Sequence, residues 1–128
     1  MSIDELRTKL LNDLRALNIN TDGMTLVVKP YSKSFYGRYY PKDNRIFLYA
    51  YKDPERTCMY PYNQLMKTLL HEVVHFIQWN DPEYVRVKGV MHNEEFHKIY
   101  NRLESLYKRK VMMNRVKFHS EIWDCCSQ

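Results

Sequence analysis

The residue run His71-Glu72-Val73-Val74-His75 constrains this chain most, because it lies within a long apolar segment. The hydrophobic residues around and within it are Leu65, Met66, Leu69, Leu70, Val73, Val74, Phe76 and Ile77. A helix that is apolar on nearly every side is buried, and ionisable side chains inside it are costly unless something satisfies them. Residues four apart on a helix share one face, about 6 Å apart along the axis. The pattern therefore predicts a buried helix that presents two imidazoles on one face.

Two imidazoles in that register are suited to bind one zinc ion through their ring nitrogens, since zinc prefers nitrogen and sulfur ligands. Glu72 would then lie beside the metal, where its carboxylate can take a proton from the attacking water. We therefore expect His71 and His75 to be metal ligands and Glu72 to be the catalytic base of a zinc hydrolase. The alternative is a helix that carries two surface histidines by chance, and the apolar surroundings disfavour it.

A third ligand is expected downstream, because catalytic zinc sites usually have three protein ligands and keep one position open. The candidates are His92, Glu94, Glu95, His97 and His119. We favour His92, which precedes a predicted helix and follows a loop long enough to turn the chain back. His97 would lie more than a turn into that helix and on a different side. The two glutamates, His97 and His119 stay open as alternatives.

These segments resemble the SprT-like metalloprotease family. The matching motifs are His71-Glu72-Val73-Val74-His75 and, further along, His92-Asn93-Glu94-Glu95-Phe96. Upstream, the runs Tyr36-Gly37-Arg38-Tyr39-Tyr40-Pro41 and Arg45-Ile46-Phe47-Leu48 resemble the family's hairpin, and residues 65–70 resemble the lead-in to its active-site helix. The similarity covers roughly residues 25 to 107. Related small zincins, the WLM and YgjP-like groups, carry similar pairs of motifs.

The resemblance implies one α+β domain over residues 1–128, with a zincin-like fold and zinc held by His92 and the two helix histidines. It also implies peptide-bond hydrolysis with Glu72 as base, and DNA-associated proteins as substrates. Two features depart from the family. Members usually have Gly where Asn93 stands, and many carry a C-terminal zinc ribbon, for which this chain has no C-x-x-C pairs.

Hydrophobic periodicity and turn residues predict the other elements. A helix is expected over residues 2–18, where Ser2 and Glu5 match a capping box. Three strands are expected over residues 24–29, 34–40 and 45–51, the last two forming a hairpin. The helix bearing the histidine pair is expected over residues 62–79, and a second helix follows with Asn93 as its N-cap. The sequence thus predicts an N-terminal helix, a small three-stranded sheet, an active-site helix and a second helix after the third ligand.

The net charge of +5 suggests an anionic partner. The predicted hairpin interleaves cations with aromatic residues, a combination that suits a phosphate backbone and stacked bases. The DNA contacts that we predict are Lys33, Arg38, Tyr39, Lys42 and Arg45. The alternative is ordinary strand packing with the basic residues solvated. A second basic cluster is equally ambiguous and comprises Lys108, Arg109, Lys110, Arg115 and Lys117.

The three cysteines form no C-x-x-C pair, and the N-terminus lacks the apolar region of a signal peptide. No stretch approaches the roughly 18 apolar residues needed to span a bilayer. We therefore expect a soluble cytoplasmic protein with no membrane partner. Adjacent Cys125 and Cys126 cannot easily both bind one ion, so no second metal site with His119 is expected.

Two other functional classes remain open. One is a nucleic-acid-binding module with a structural zinc site and no turnover, and the other is a zinc hydrolase whose substrate is not a peptide. For a peptidase, Tyr84 or Tyr100 is a candidate donor to the oxyanion, although core packing is the simpler role for both.

Overall fold

The computed structural model describes residues 1–84 and 92–112. Within these ranges the chain forms three α-helices and one three-stranded sheet. The elements in chain order are α1 (Ile3–Arg15), β1 (Thr25–Lys29), β2 (Gly37–Tyr40), β3 (Arg45–Tyr49), α2 (Tyr62–Trp79), α3 (Glu94–Tyr107) and a π-helical turn (Lys108–Met112). This arrangement confirms the expected small α+β domain. Arg115, Lys117, His119, Cys125 and Cys126 lie outside the described residues.

The helix boundaries follow from their capping residues. The predicted capping box is present, because the Ser2 side chain accepts from the Glu5 backbone and the Glu5 side chain accepts from the Ser2 backbone. α1 ends earlier than predicted, since Asn18 adopts a left-handed φ of 57° that stops the chain from continuing as a helix. Leu17 nevertheless remains buried. Its place in the apolar stripe therefore indicated burial correctly but not helix.

The sheet has the strand order β1-β3-β2. β2 and β3 pair antiparallel, which confirms the predicted hairpin, whereas β1 pairs parallel to β3. β2 begins later than predicted, because the Ser32 hydroxyl accepts from the backbone N–H groups of Ser34 and Phe35 and holds that segment in a turn. β2 is consequently a short edge strand.

α1 and α2 pack on one face of the sheet, α3 packs against α2, and the core lies between these elements. The sheet contributes Leu26, Val28, Ile46 and Leu48, while α2 contributes Leu69, Leu70, Val73 and Val74, all buried. Alternation along the strands leaves the opposite face of the sheet exposed or half-buried.

Gly37 is where β2 comes closest to α2. A Cβ atom on Gly37 would lie 2.8 Å from the Thr68 methyl carbon and 2.9 Å from a Leu48 methyl carbon. The absence of a side chain therefore permits this approach and brings the edge strand against the middle of α2. Among the residues that the structure describes, no helix is long and apolar enough to cross a membrane.

Candidate metal centre

α2 carries His71, Glu72 and His75 in its C-terminal half. The two imidazole centroids are 5.1 Å apart, as expected for side chains one helical turn apart. His75 is buried and His71 is half-buried. The predicted spacing therefore does bring both rings to the same face of the helix.

His92 lies just before α3 and joins this pair. Its Nε2 atom is 3.2 Å from Nε2 of His75, and its ring centroid is 4.7 Å from that of His71. Ligand atoms of the three histidines all lie within 4.8 Å of one another. The three side chains are therefore close enough to bind one metal ion.

The other third-ligand candidates within the described ranges do not join this group. Glu94 forms an exposed ion pair with Lys98 at 3.5 Å. The Glu95 carboxylate accepts a hydrogen bond from Gln78. His97 is exposed, one residue beyond the helix face that meets α2.

Phe96 lies against all three imidazoles. Its ring centroid is 4.8 Å from those of His71 and His75 and 4.7 Å from that of His92. The side chain is only 2% exposed. Because it faces the three rings at once, it restricts their orientation and keeps water from that side of the cluster.

A buried amide connects α2 to the segment that carries His92. The Gln78 side chain is on α2, 2% exposed, and its Nε2 donates to Asn93 Oδ1 at 3.3 Å and to Glu95 Oε1 at 3.1 Å. Asn93 is the N-cap of α3, and the same Oδ1 accepts from the Phe96 backbone N–H at 2.9 Å. Gln78 therefore fixes the start of α3 relative to the helix bearing the histidine pair.

Burial favours neutral imidazoles on α2. It is the largest cause that lowers the pKa of His71 to about 4, with His92 and His97 adding repulsion. Burial likewise lowers the pKa of His75 to about 4, helped by His71 and His92. A neutral ring nitrogen is the form that binds a metal ion, so both side chains are in the ligating state at neutral pH.

Glu72 is buried beside the histidines but does not belong to their group. Its Oε2 is 4.0 Å from Nε2 of His71, and the residue is 8% exposed. Burial raises the pKa of Glu72 to about 7, against the opposing effects of the Tyr39 backbone N–H, which hydrogen-bonds to it, and the positive charge of Arg38. A carboxyl group with such a pKa can both accept and release a proton near neutral pH.

His71 and Glu72 line a cleft of about 430 Å³. The segment from Ser34 to Gly37 forms one wall, and residues of α2 and α3 form the others. Tyr100 lies in this lining and donates its hydroxyl to Glu104 at 3.2 Å. Burial, then Glu104, raises the pKa of Tyr100 to about 12, so its hydroxyl stays protonated. Tyr84 instead accepts from the Asn93 amide and is absent from the lining.

A larger cavity of about 620 Å³ lies away from this cluster, between the end of α1 and the helices α2 and α3. Its lining combines apolar side chains with amides, Asp22 and Arg102, but includes none of the clustered histidines. The smaller cleft is therefore the one that His71 and Glu72 line.

The basic aromatic hairpin divides between two faces of the sheet. Arg38 is exposed and lies over the rings of Phe35 and Tyr40, at 4.8 and 5.2 Å. Tyr39 points the other way, is 8% exposed and donates its hydroxyl to the Asn44 side chain. The prediction that Tyr39 contacts DNA is therefore wrong for its ring, because alternation along β2 directs it into the core.

The remaining predicted contacts, Lys33, Arg38, Lys42 and Arg45, are exposed. Arg45 forms an ion pair with Asp43 at 2.7 Å and lies 5.5 Å from the Phe47 ring centroid. The exposed face thus keeps cations next to aromatic rings, although part of its positive charge is neutralised.

Gln78 is the residue of this site that sequence reasoning missed. Its signal was a polar side chain one turn after His75, on the same face of an apolar helix, where a buried amide requires partners.

No protein-family model matches the sequence, and comparison with curated proteins finds no match.

Proposed function

We propose that this protein is a zinc-dependent metallopeptidase with a zincin-like fold, similar to the SprT-like proteases. The observation that carries the proposal is the convergence of three histidine side chains, with a buried glutamate beside them in an open cleft. Three protein ligands with a remaining open position are typical of catalytic zinc sites, whereas structural sites usually have four.

The donor set fits zinc. For tetrahedral zinc with bonds of about 2.0–2.1 Å, two ligating nitrogens lie roughly 3.3 Å apart. The 3.2 Å between Nε2 of His75 and Nε2 of His92 is close to that value. A direct hydrogen bond between the two rings would give a similar distance, but it would not involve His71, whose ring centroid lies 4.7 Å from that of His92. A shared ion accounts for all three rings.

Glu72 is the proposed general base. A zinc ion bound here would supply Lewis-acid activation of water and of the substrate carbonyl. The Glu72 carboxylate would accept the proton of the attacking water and deliver it to the leaving amine. The Tyr39 backbone N–H, by hydrogen-bonding to that carboxylate, holds it at the cleft.

An extended peptide suits the edge strand beside the cleft. The Tyr49 N–H donates to the Tyr36 carbonyl at 3.1 Å, so alternation directs the backbone groups of Gly37 away from β3. Gly37 lines the cleft together with His71 and Glu72. Backbone pairing along such an edge binds extended polypeptides with little dependence on their sequence.

The test is a Glu72→Gln variant of the zinc-loaded protein, assayed on an unfolded protein substrate. We expect zinc to stay bound and hydrolysis to fall by about 10²–10⁴-fold, the usual contribution of a general base. Glu55→Gln, a change at an exposed glutamate outside the cleft, is the control. If Glu72→Gln cleaves as fast as the wild type, Glu72 is not the base.

A nucleic-acid-binding module with a structural metal site is the second candidate. Arg38 and Arg45, which lie over the Tyr40 and Phe47 rings of the sheet, favour it. This alternative requires binding to DNA or RNA that weakens with added salt, and zinc binding without Glu72-dependent hydrolysis. DNA-associated proteins become the favoured peptidase substrates if both binding and hydrolysis are measured.

A further inference from the structure

We propose that the cleft selects peptide segments with a large apolar side chain beside the scissile bond, held between Phe35 and Tyr36 on one wall and Tyr100 on the other. This inference rests on the proposed peptidase function and defines its substrate class. It is carried by the exposed aromatic residues that share a cleft with His71 and Glu72.

Phe35 and Tyr36 are exposed although their side chains are large and hydrophobic. Their exposed fractions are 43% and 60%, and both line the cleft together with His71 and Glu72. In the part of the chain that the structure describes, the other large exposed hydrophobic residues, Met1 and Trp79, are absent from this lining. Adjacent exposed apolar side chains on a soluble protein mark binding sites, because leaving them in water is unfavourable.

Both aromatic side chains are held in place before any ligand arrives. Arg38 lies 4.8 Å from the Phe35 ring centroid, and the Ser32 hydroxyl accepts from the Phe35 backbone N–H. The Tyr36 ring meets the Tyr60 ring edge-on, with centroids 5.5 Å apart. Binding would therefore cost little side-chain entropy, which strengthens the selection of an apolar partner.

On the opposite wall, the Tyr100 ring supplies apolar surface. The Tyr100 ring lies 6.3 Å from the His71 ring, and its hydroxyl donates to Glu104 rather than remaining without a partner. The Thr68 side chain belongs to the same lining. A volume of about 430 Å³ leaves room for one large side chain next to the peptide backbone.

The cleft lining carries charges of both signs, Lys67 and Glu72, so charge alone selects neither a basic nor an acidic residue. Burying an ionised side chain between the aromatic walls would cost desolvation free energy. A neutral side chain with a large apolar surface is therefore favoured, so phenylalanine or leucine is preferred over glycine, aspartate or lysine.

The experiment measures binding as well as cleavage. Zinc-loaded Glu72→Gln protein is titrated with fluorescent peptides identical except at one position, which is Phe, Leu, Gly, Asp or Lys. We expect the Phe and Leu peptides to bind about 10–200-fold more tightly than the Gly peptide, the range that a hydrophobic pocket achieves. Cleavage of the same peptides by the wild type, measured as kcat/KM, should follow the same order.

The Tyr36→Ala change, made in both proteins, should remove most of this preference, whereas Tyr36→Leu should retain it because the wall stays apolar. Trp79→Ala is the matched control, since Trp79 is 40% exposed and outside the cleft. Equal binding of all five peptides, or no binding of any, overturns the inference. A wild type that discriminates in binding but cleaves nothing overturns the proposed function and leaves the apolar site intact.

Discussion

Replacing Gln78 with methionine tests whether the buried amide aligns His92 with the two histidines of α2. Methionine keeps the volume and helix propensity of glutamine but donates no hydrogen bond. Gln78→Met therefore removes the bonds to Asn93 and Glu95 without opening a cavity. Asn93 keeps its bond to the Phe96 backbone, so α3 should still form. What changes is how firmly His92, the residue before the Asn93 cap, is held next to α2.

The two lost hydrogen bonds set the expected magnitude. A hydrogen bond of this kind contributes about 0.5–1.5 kcal/mol, so both together contribute roughly 1–3 kcal/mol. Without them, a smaller fraction of the metal-free protein has His92 beside His75, and apparent metal affinity falls by that fraction. A difference of 1–3 kcal/mol corresponds to a loss of about 5- to 150-fold in affinity.

The assay is zinc affinity, measured by competition with a chromophoric chelator, together with the visible spectrum of the cobalt-substituted protein. Gln78→Met should bind zinc more weakly and show a cobalt spectrum with altered ligation. Gln64→Met is the matched control, because Gln64 is an exposed glutamine on the same helix. Wild-type affinity in Gln78→Met, accompanied only by a lower melting temperature, would refute the reasoning and leave Gln78 a purely structural residue.

Three further outcomes are expected. Gly37→Ala should cost about 1–3 kcal/mol of stability by overpacking, measured by denaturant unfolding, and Thr68→Ser should recover part of it because the nearest clashing methyl is then absent. Tyr62→Phe removes a donor to the buried Asp13 carboxylate and should cost about 1–3 kcal/mol, whereas Tyr36→Phe, at an exposed ring, should leave unfolding unchanged. Adding zinc should raise the melting temperature and EDTA should reverse the rise; an unchanged melting temperature with zinc in large excess would contradict a metal site in the folded protein.

Much of the backbone could be predicted from the sequence because local signals agreed with tertiary packing. α2 spans the predicted residues, since a continuous apolar segment is bounded by Pro61 and by Asn80-Asp81-Pro82. The start of α3 follows equally from Asn93, whose side chain caps the helix. Where a signal came only from hydrophobic spacing, as at Leu17, burial was predicted correctly and secondary structure was not.

The direction of side chains in β2 was harder to predict. Tyr39 and Tyr40 are adjacent aromatic residues, and either could occupy the buried face. A shift of one residue in strand register exchanges the two faces, so composition does not decide between them. The choice follows from the pairing of Tyr39 with Ile46, which places both on the side that packs against α2. Tertiary contacts therefore determine which hairpin residues reach solvent.

Two interactions bring His92 to the two histidines of α2, and only one of them can be recognised in the sequence. Phe96 lies one turn beyond His92, and an apolar residue at that spacing predicts a helix face directed at α2. The Phe96 contact brings α3 close to the two histidines of α2 but leaves the His92 side chain free to turn away. The bonds from Gln78 to Asn93 and Glu95 remove this freedom, and they depend on an amide donor whose partners become neighbours only after folding. Spacing could therefore predict which histidine approaches, whereas its alignment with the pair requires the buried hydrogen bonds.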